Sequence, residues 1–301
     1  MAKFFKSLKT KAMNIGLKFL SIDEKLAYIA FKTKSNHVRP IVILPTGKTS
    51  LKKLLDKMED NKRFGDLYNG TLNGIPVSII VAGIGNSHAA IIMEALKRSP
   101  CKVAIRVDYC GGLETTDPNL KIADVVIPQE VFITDGTAHS YLQKYASLLK
   151  DLPLNYYPVE KGGDKMLYPS YQDNYLGIQG DSTLLQILQD SLRLNNYDFS
   201  IINGKLWSVD ALFCETDRAI QTWTSYGAIS VDMESSAVYL LGNIFKIPTI
   251  SILGISDVPD SGEWNLQKTK KLHPNFELIL DNAISVLWDA LPKIHKEFVS
   301  K

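Results

Sequence analysis

Two stretches of this chain end in acids where acids can do chemistry. Ser230-Val231-Asp232-Met233-Glu234-Ser235-Ser236-Ala237 reads as an apolar strand closing on a carboxylate that opens a helix, and Ile250-Ser251-Ile252-Leu253-Gly254-Ile255-Ser256-Asp257 reads as a second apolar strand closing on another. In an open α/β sheet, ligands bind outside the carboxyl ends of the strands. One acid delivered there can grip a polyol and the other can give up a proton. A capped helix beside a strand-ending turn accounts for the same letters equally well. Arg106 ends the apolar run Val103-Ala104-Ile105. A guanidinium at that depth must meet an anion, either a bound phosphate or carboxylate or an internal partner such as Asp108.

Two glycine-bearing turns follow other apolar runs. Pro45-Thr46-Gly47-Lys48-Thr49 has the end of a P-loop but Val42 where its first glycine belongs, which excludes that motif. The turn still aims backbone N–H groups at the start of a helix, where an anion can sit. Ala82-Gly83-Ile84-Gly85-Asn86-Ser87 fails the dinucleotide fingerprint because His88 occupies the third glycine position. Its glycines serve close backbone approach or helix–strand packing. The five histidines are scattered without metal-ligand spacing, and no metal is expected.

These residues need a scaffold of alternating elements. Strands are expected at 40–44, 77–82, 103–107, 123–128, 200–205, 228–231 and 248–254. Helices are expected at 51–58, 88–97, 140–149, 182–194, 216–226, 234–243 and 276–288. Such alternation argues α/β with a largely parallel sheet. Asp181-Ser182 is a helix-start signal. The segment 152–180, rich in Tyr, Pro, Gly and Asp, reads as an irregular insertion or lid. Asn69-Gly70-Thr71 reads as a hairpin-like turn.

The 301 residues are 45% hydrophobic and 22% charged, with a formal net charge of +2, which points away from nucleic acid. Three unpaired cysteines imply neither disulfides nor zinc, and a reducing, cytoplasmic setting follows. No apolar run spans a bilayer. Residues 1–20 carry five lysines and no acid. They read as the start of a basic helical arm over 1–34, packed on its own protein rather than on lipid or serving as a leader. Residues 35–301 read as a single domain.

Together, Ala104 to Leu113, Ala123 to Pro128, Asp135-Gly136-Thr137, Trp207 to Phe213, Val231 to Glu234 and Ser256-Asp257 occur in an order and spacing that resembles the nucleoside phosphorylase family. That family includes purine nucleoside phosphorylases, uridine phosphorylases and methylthioadenosine nucleosidases. The resemblance runs from about Pro40 to Ala290. It implies a three-layer α/β/α sandwich whose central mixed sheet closes into a distorted partial barrel. It also implies a homodimer or homohexamer with sites at the dimer interface, and no cofactor beyond inorganic phosphate as co-substrate. By resemblance, Glu234 grips the ribose hydroxyls over Met233. Arg106, Thr46, Gly47 and Lys48 hold phosphate, joined by Arg63 from a neighbouring subunit. Cys110, Gly111 and Trp207 lie against the base, Arg218 reaches it, and Asp257 donates to a purine N7. The implied activity is phosphorolysis of a purine-favoured nucleoside to free base and ribose 1-phosphate. Catalysis would rest on Asp257, Arg106 and Glu234.

Three departures from the family pattern bear on that activity. The phosphate loop lacks its Gly-Asp-Pro and arginine. The small Gly-Thr or Gly-Ser pair after the central arginine is Asp108-Tyr109. The N-terminal histidine that reaches a neighbour's ribose has no counterpart at the expected spacing, His37 lying too near the first strand. They leave open a uridine phosphorylase, a nucleosidase that uses water, and a binding protein without activity.

Overall fold

The computed structural model describes residues 21–113, 120–159, 169–258 and 271–300. The chain begins with α1 (Ile22–Phe31), started by a capping box in which Ser21 and Glu24 satisfy each other's backbone N–H groups. Next come β1 (Ile41–Leu44) and α2 (Lys48–Lys57), then the strands β2 (Glu59–Phe64), β3 (Leu67–Leu72) and β4 (Ile75–Ile80). They are followed by α3 (Asn86–Leu96), β5 (Val103–Gly112), β6 (Val125–Ile133), α4 (Gly136–Lys144), β7 (Leu154–Pro158) and β8 (Asn174–Gln179). The C-terminal part holds α5 (Ser182–Leu192), β9 (Ile201–Ser208), α6 (Asp217–Ser225), β10 (Ala228–Asp232), α7 (Ser235–Phe245), β11 (Thr249–Asp257) and α8 (Leu278–Phe298).

Pairing runs β2-β3-β4-β1-β5-β10-β9-β6-β8-β7, and β11 bridges β5 and β6. The five strands β5, β10, β9, β6 and β11 therefore close on themselves, each bonded to the next. This is the expected mixed sheet with a partial barrel. The fully apolar run Ile41-Val42-Ile43-Leu44 is buried throughout and pairs in parallel with β4 and β5, as a strand covered on both faces must. Helices α1, α3 and α7 cover one face with an apolar cluster, and α2, α5 and α8 cover the other with a second cluster. Of the basic arm, residues 21–34 are described. Ala27 and Phe31 of α1 are fully buried in the first cluster. Residues 1–20 lie outside the described residues.

The structure corrects several expectations. The segment 152–180 is not irregular where described: it carries the antiparallel pair β7–β8, tied down by Tyr157, whose hydroxyl donates to Glu130. Residues 160–168 of that segment lie outside the described residues. Asn69-Gly70-Thr71 is no turn; it lies inside β3. Gly70 is required there because a Cβ would fall 2.4 Å from the Met58 side chain. Asn69 bonds the His37 carbonyl and accepts from Ser78. The Asp181 start signal is real, its carboxylate accepting from Leu184 N–H at 2.9 Å.

Candidate active site

At the mouth of the barrel, the carboxyl ends of β10 and β11 and the long strand β5 enclose a cavity of about 380 Å³. Its lining includes Thr46, Arg106, Asp108, Tyr109, Cys110, Gly111, Asp232, Met233, Glu234 and Asp257. The volume falls within the range of small-molecule clefts.

Glu234 is held there by a division of labour. It stands at the N-cap of α7, yet its side chain makes no cap bond. Asp232 takes that task, accepting from the N–H and hydroxyl of Ser235. The Glu234 carboxylate is thus free to reach sideways, where it accepts from Gly85 N–H at 2.8 Å and from Arg106 Nη2. This explains the Gly83-Ile84-Gly85 turn. Gly85 has φ +94°, and at Gly83 (φ +74°) a Cβ would fall onto the His88 ring, so only glycine fits. From Ser235 to Gly242, α7 is buried, which fixes the acid in place.

Arg106 is 1% exposed and meets internal partners: its Nη1 is 2.9 Å from Asp232, and its Nη2 pairs with Glu234. Burial alone would lower its pKa, but Asp232, Glu234 and Asp108 outweigh that and hold it well above the ordinary range. Burial, with Asp232 nearby, raises the Glu234 carboxyl to about 7 against the pull of Arg106 and the Gly85 N–H. The guanidinium in direct contact favours its ionised form.

Asp257 ends β11 at a register shift where it faces Gly111. An irregularity of this kind re-aims a side chain. Ser256 Oγ lies 2.7 Å from Asp257 Oδ1 and 3.1 Å from the Cys110 carbonyl, linking the two strand ends. Burial raises the Cys110 thiol well above its usual range, so it stays protonated and is no nucleophile.

Of the expected site residues, Arg106, Glu234, Asp257, Met233, Thr46, Cys110 and Gly111 come together in this cavity. Others do not. Trp207 is a correction: it is fully buried, stacks on Trp223 at 5.9 Å and donates its Nε1–H to Thr134. The inward face of β9 needs that bulk for the core, so the ring cannot lie against a base. Arg218 is exposed in the first turn of α6 and does not line the cavity. Gly47 is the N-cap of α2, and Lys48, the first residue of that helix, points to solvent; neither lines the cavity. Arg63 stands exposed on the edge strand β2, bonded to the Gly65 carbonyl, away from its own chain's cavity.

Two lining residues, Phe276 and Glu215, were not singled out in the sequence, and Tyr109 stood out there only as a departure from the family pattern. Tyr109 and Phe276 stack at 5.9 Å and 20°, giving the cavity an aromatic wall in place of Trp207. Tyr109 lines the space without filling it. Glu215 adds a further carboxyl, pushed up to about 7 by burial and by repulsion from Asp257 and Asp232. It follows a short turn of 3-10 helix, Leu212–Cys214, and only its type could have drawn attention to it.

The family model of the phosphorylase superfamily matches residues 41–291. A DeoD-type purine nucleoside phosphorylase from Clostridium novyi (strain NT) is 23% identical over 245 residues, which are 79% of this chain and 91% of that protein. Among solved structures, uridine phosphorylase from Vibrio fischeri ES114, complexed with 6-hydroxy-1-naphthoic acid, superposes with a TM-score of 0.66 at 18% identity, covering 90% of this chain and all of that one. A 5′-methylthioadenosine/S-adenosylhomocysteine nucleosidase from Colwellia psychrerythraea 34H, in complex with adenine, gives a TM-score of 0.61 at 18% identity, covering 84% and 94%.

Proposed function

The chain belongs to the phosphorylase superfamily, and from that membership we propose that it cleaves the N-glycosidic bond of a nucleoside, a purine being the favoured leaving base. The observation that carries this reading is the convergence of Arg106, Glu234 and Asp257 on one sugar-sized cavity. An ionised Glu234 accepts two hydroxyl protons of a ribose diol. It also sets negative charge beside a sugar that turns oxocarbenium-like as the bond stretches, which lowers the barrier. Asp257, at the opposite strand end, hands a proton to the departing base. Tyr109 and Phe276 offer that base an apolar wall. Arg106 orients Glu234 and favours its ionised form.

Transfer of the pentosyl group to phosphate is the outcome expected from the sequence. Transfer to water shares every step above and differs in the acceptor alone. Incubation with inosine, adenosine and uridine, followed by chromatography of the released base, tests the reading. Purine nucleosides should be cleaved, and Asp257→Asn should lower that rate roughly 10²- to 10⁴-fold, the usual span of general acid catalysis. Undiminished turnover in the variant would remove Asp257 from the chemistry.

A further inference from the structure

Resting on the nucleoside-cleaving reading, we propose that the Asp108 carboxylate fills the anion seat of this cavity, so that water, and not phosphate, receives the pentosyl group. The turn before α2 should attract an anion through its backbone N–H groups and the helix start. In this chain Asp108 already sits on one of those backbone donors, that of Thr46, and on the Ser50 hydroxyl of the first helical turn. Thr46 N–H donates to Asp108 Oδ2, and the Ser50 hydroxyl donates to Oδ1 at 2.8 Å. The N–H of Tyr109 adds a third bond to Oδ1 at 2.9 Å. Asp108 is 3% exposed and lines the same cavity as Arg106.

The cation of the seat is also ringed by acids, although its Nε and Nη1 make no hydrogen bond. Arg106 pairs with Asp232 and Glu234 and feels Asp108 as well, so three acids share one guanidinium. Lys48 is exposed and does not line the cavity. A phosphate dianion entering here meets the Asp108 carboxylate with no cation beyond Arg106 among the described lining residues to offset it. At about 4 Å and an effective dielectric of ~20, one such like-charge pair weakens binding on the order of a thousandfold. A neutral water meets no such barrier.

The step balances without another reactant. The C1′–N bond breaks with its electron pair going to the base, which takes a proton from Asp257. The water oxygen bonds to C1′ and passes its proton to the Asp108 carboxylate. Solvent then returns a proton to Asp257 and removes one from Asp108. The products are free base and ribose.

Titration calorimetry with inorganic phosphate, paired with product analysis by ³¹P NMR, tests the proposal on the full chain and on Asp108→Gly. The wild type should not bind millimolar phosphate and should yield ribose whether or not phosphate is present. Asp108→Gly should bind phosphate roughly a hundredfold tighter or better, and form ribose 1-phosphate. If Asp108→Gly does not fold by circular dichroism, Asp108→Ser, which keeps an acceptor for Thr46 N–H, takes its place. Phosphate binding or ribose 1-phosphate from the wild type overturns the proposal, as does a folded variant that gains no phosphate affinity. If no nucleoside is cleaved by either protein, the function proposed above fails, while the calorimetry still decides whether Asp108 fills the seat.

Discussion

Arg106 shows how one side chain can be legible and misread at once. Its depth at the end of an apolar run required an anion, and the sequence could not say whose. The anions are Asp232 and Glu234, brought from well over a hundred residues away in sequence. Removing the guanidinium strands two buried acids, so Arg106→Ala should destabilise the fold by about 3–5 kcal/mol, read as a lower midpoint in denaturant unfolding. A loss under 1 kcal/mol would mean the pairs are not formed. Glu234 and Asp257 stood out as acids closing apolar strands, but a helix cap and a turn explain those letters as well, and it was the family resemblance that gave them roles. Trp207 was misassigned because residue type says nothing about which face of a strand it occupies. Glu215 carried no periodic signal. Its carboxyl titrates near 7 in the fold, against an ordinary value of 4.5. The folded state therefore keeps this proton longer than the unfolded chain does. The stabilisation is complete below about pH 4.5 and is lost as pH rises through about 7. Thermal melts across that window should show Glu215→Gln losing this pH dependence and gaining stability over the wild type above pH 7. Parallel pH curves for the two proteins would remove Glu215 from the buried acid cluster.

The elements that hold the site were legible where they are apolar on both faces. β1, β4, β5, β10 and β11 were all found, because continuous apolar runs between glycine-bearing turns have no other reading. β5 and β11 run further than expected, to Gly112 and Asp257, and their added ends pair with each other, Ile255 with Cys110 and Asp257 with Gly111. β2, Glu59 to Phe64, was invisible because an edge strand facing water can be polar throughout. β7, the opposite edge, hid for the same reason, and β8 because its buried run Tyr175-Leu176-Gly177-Ile178 is short and broken by a glycine. Gly254 tests the tie between element and site. A Cβ there would sit 2.4 Å from the Ile279 carbonyl of α8, a backbone atom that cannot swing aside. Gly254→Ala should push β11 off α8, cost about 1–3 kcal/mol, and lower nucleoside cleavage by displacing Asp257. Calorimetric melting and turnover measured on one sample check both effects, and an unaltered rate in a destabilised variant would uncouple β11 from the chemistry.

At the scale of the molecule, closure of β5, β10, β9, β6 and β11 into a ring brings residues 106, 234 and 257 to one mouth, which no stretch of sequence could display. The fold class was readable from the alternation of elements and the barrel only through the family resemblance. Arg63 points away from its own chain's cavity, on an edge strand. The resemblance gives Arg63 a phosphate contact across a dimer interface, and with water as the acceptor that contact carries no step, so Arg63→Ala should leave nucleoside cleavage unchanged. A drop in turnover in a variant whose size by light scattering matches the wild type would bring phosphate back into the chemistry. The most direct measurement of all is a crystal structure with a non-cleavable purine nucleoside analogue. The account predicts the ribose diol on Glu234 and the base edge at Asp257, against the Tyr109–Phe276 wall. An analogue bound elsewhere, or bound with its sugar turned away from Glu234, would contradict it.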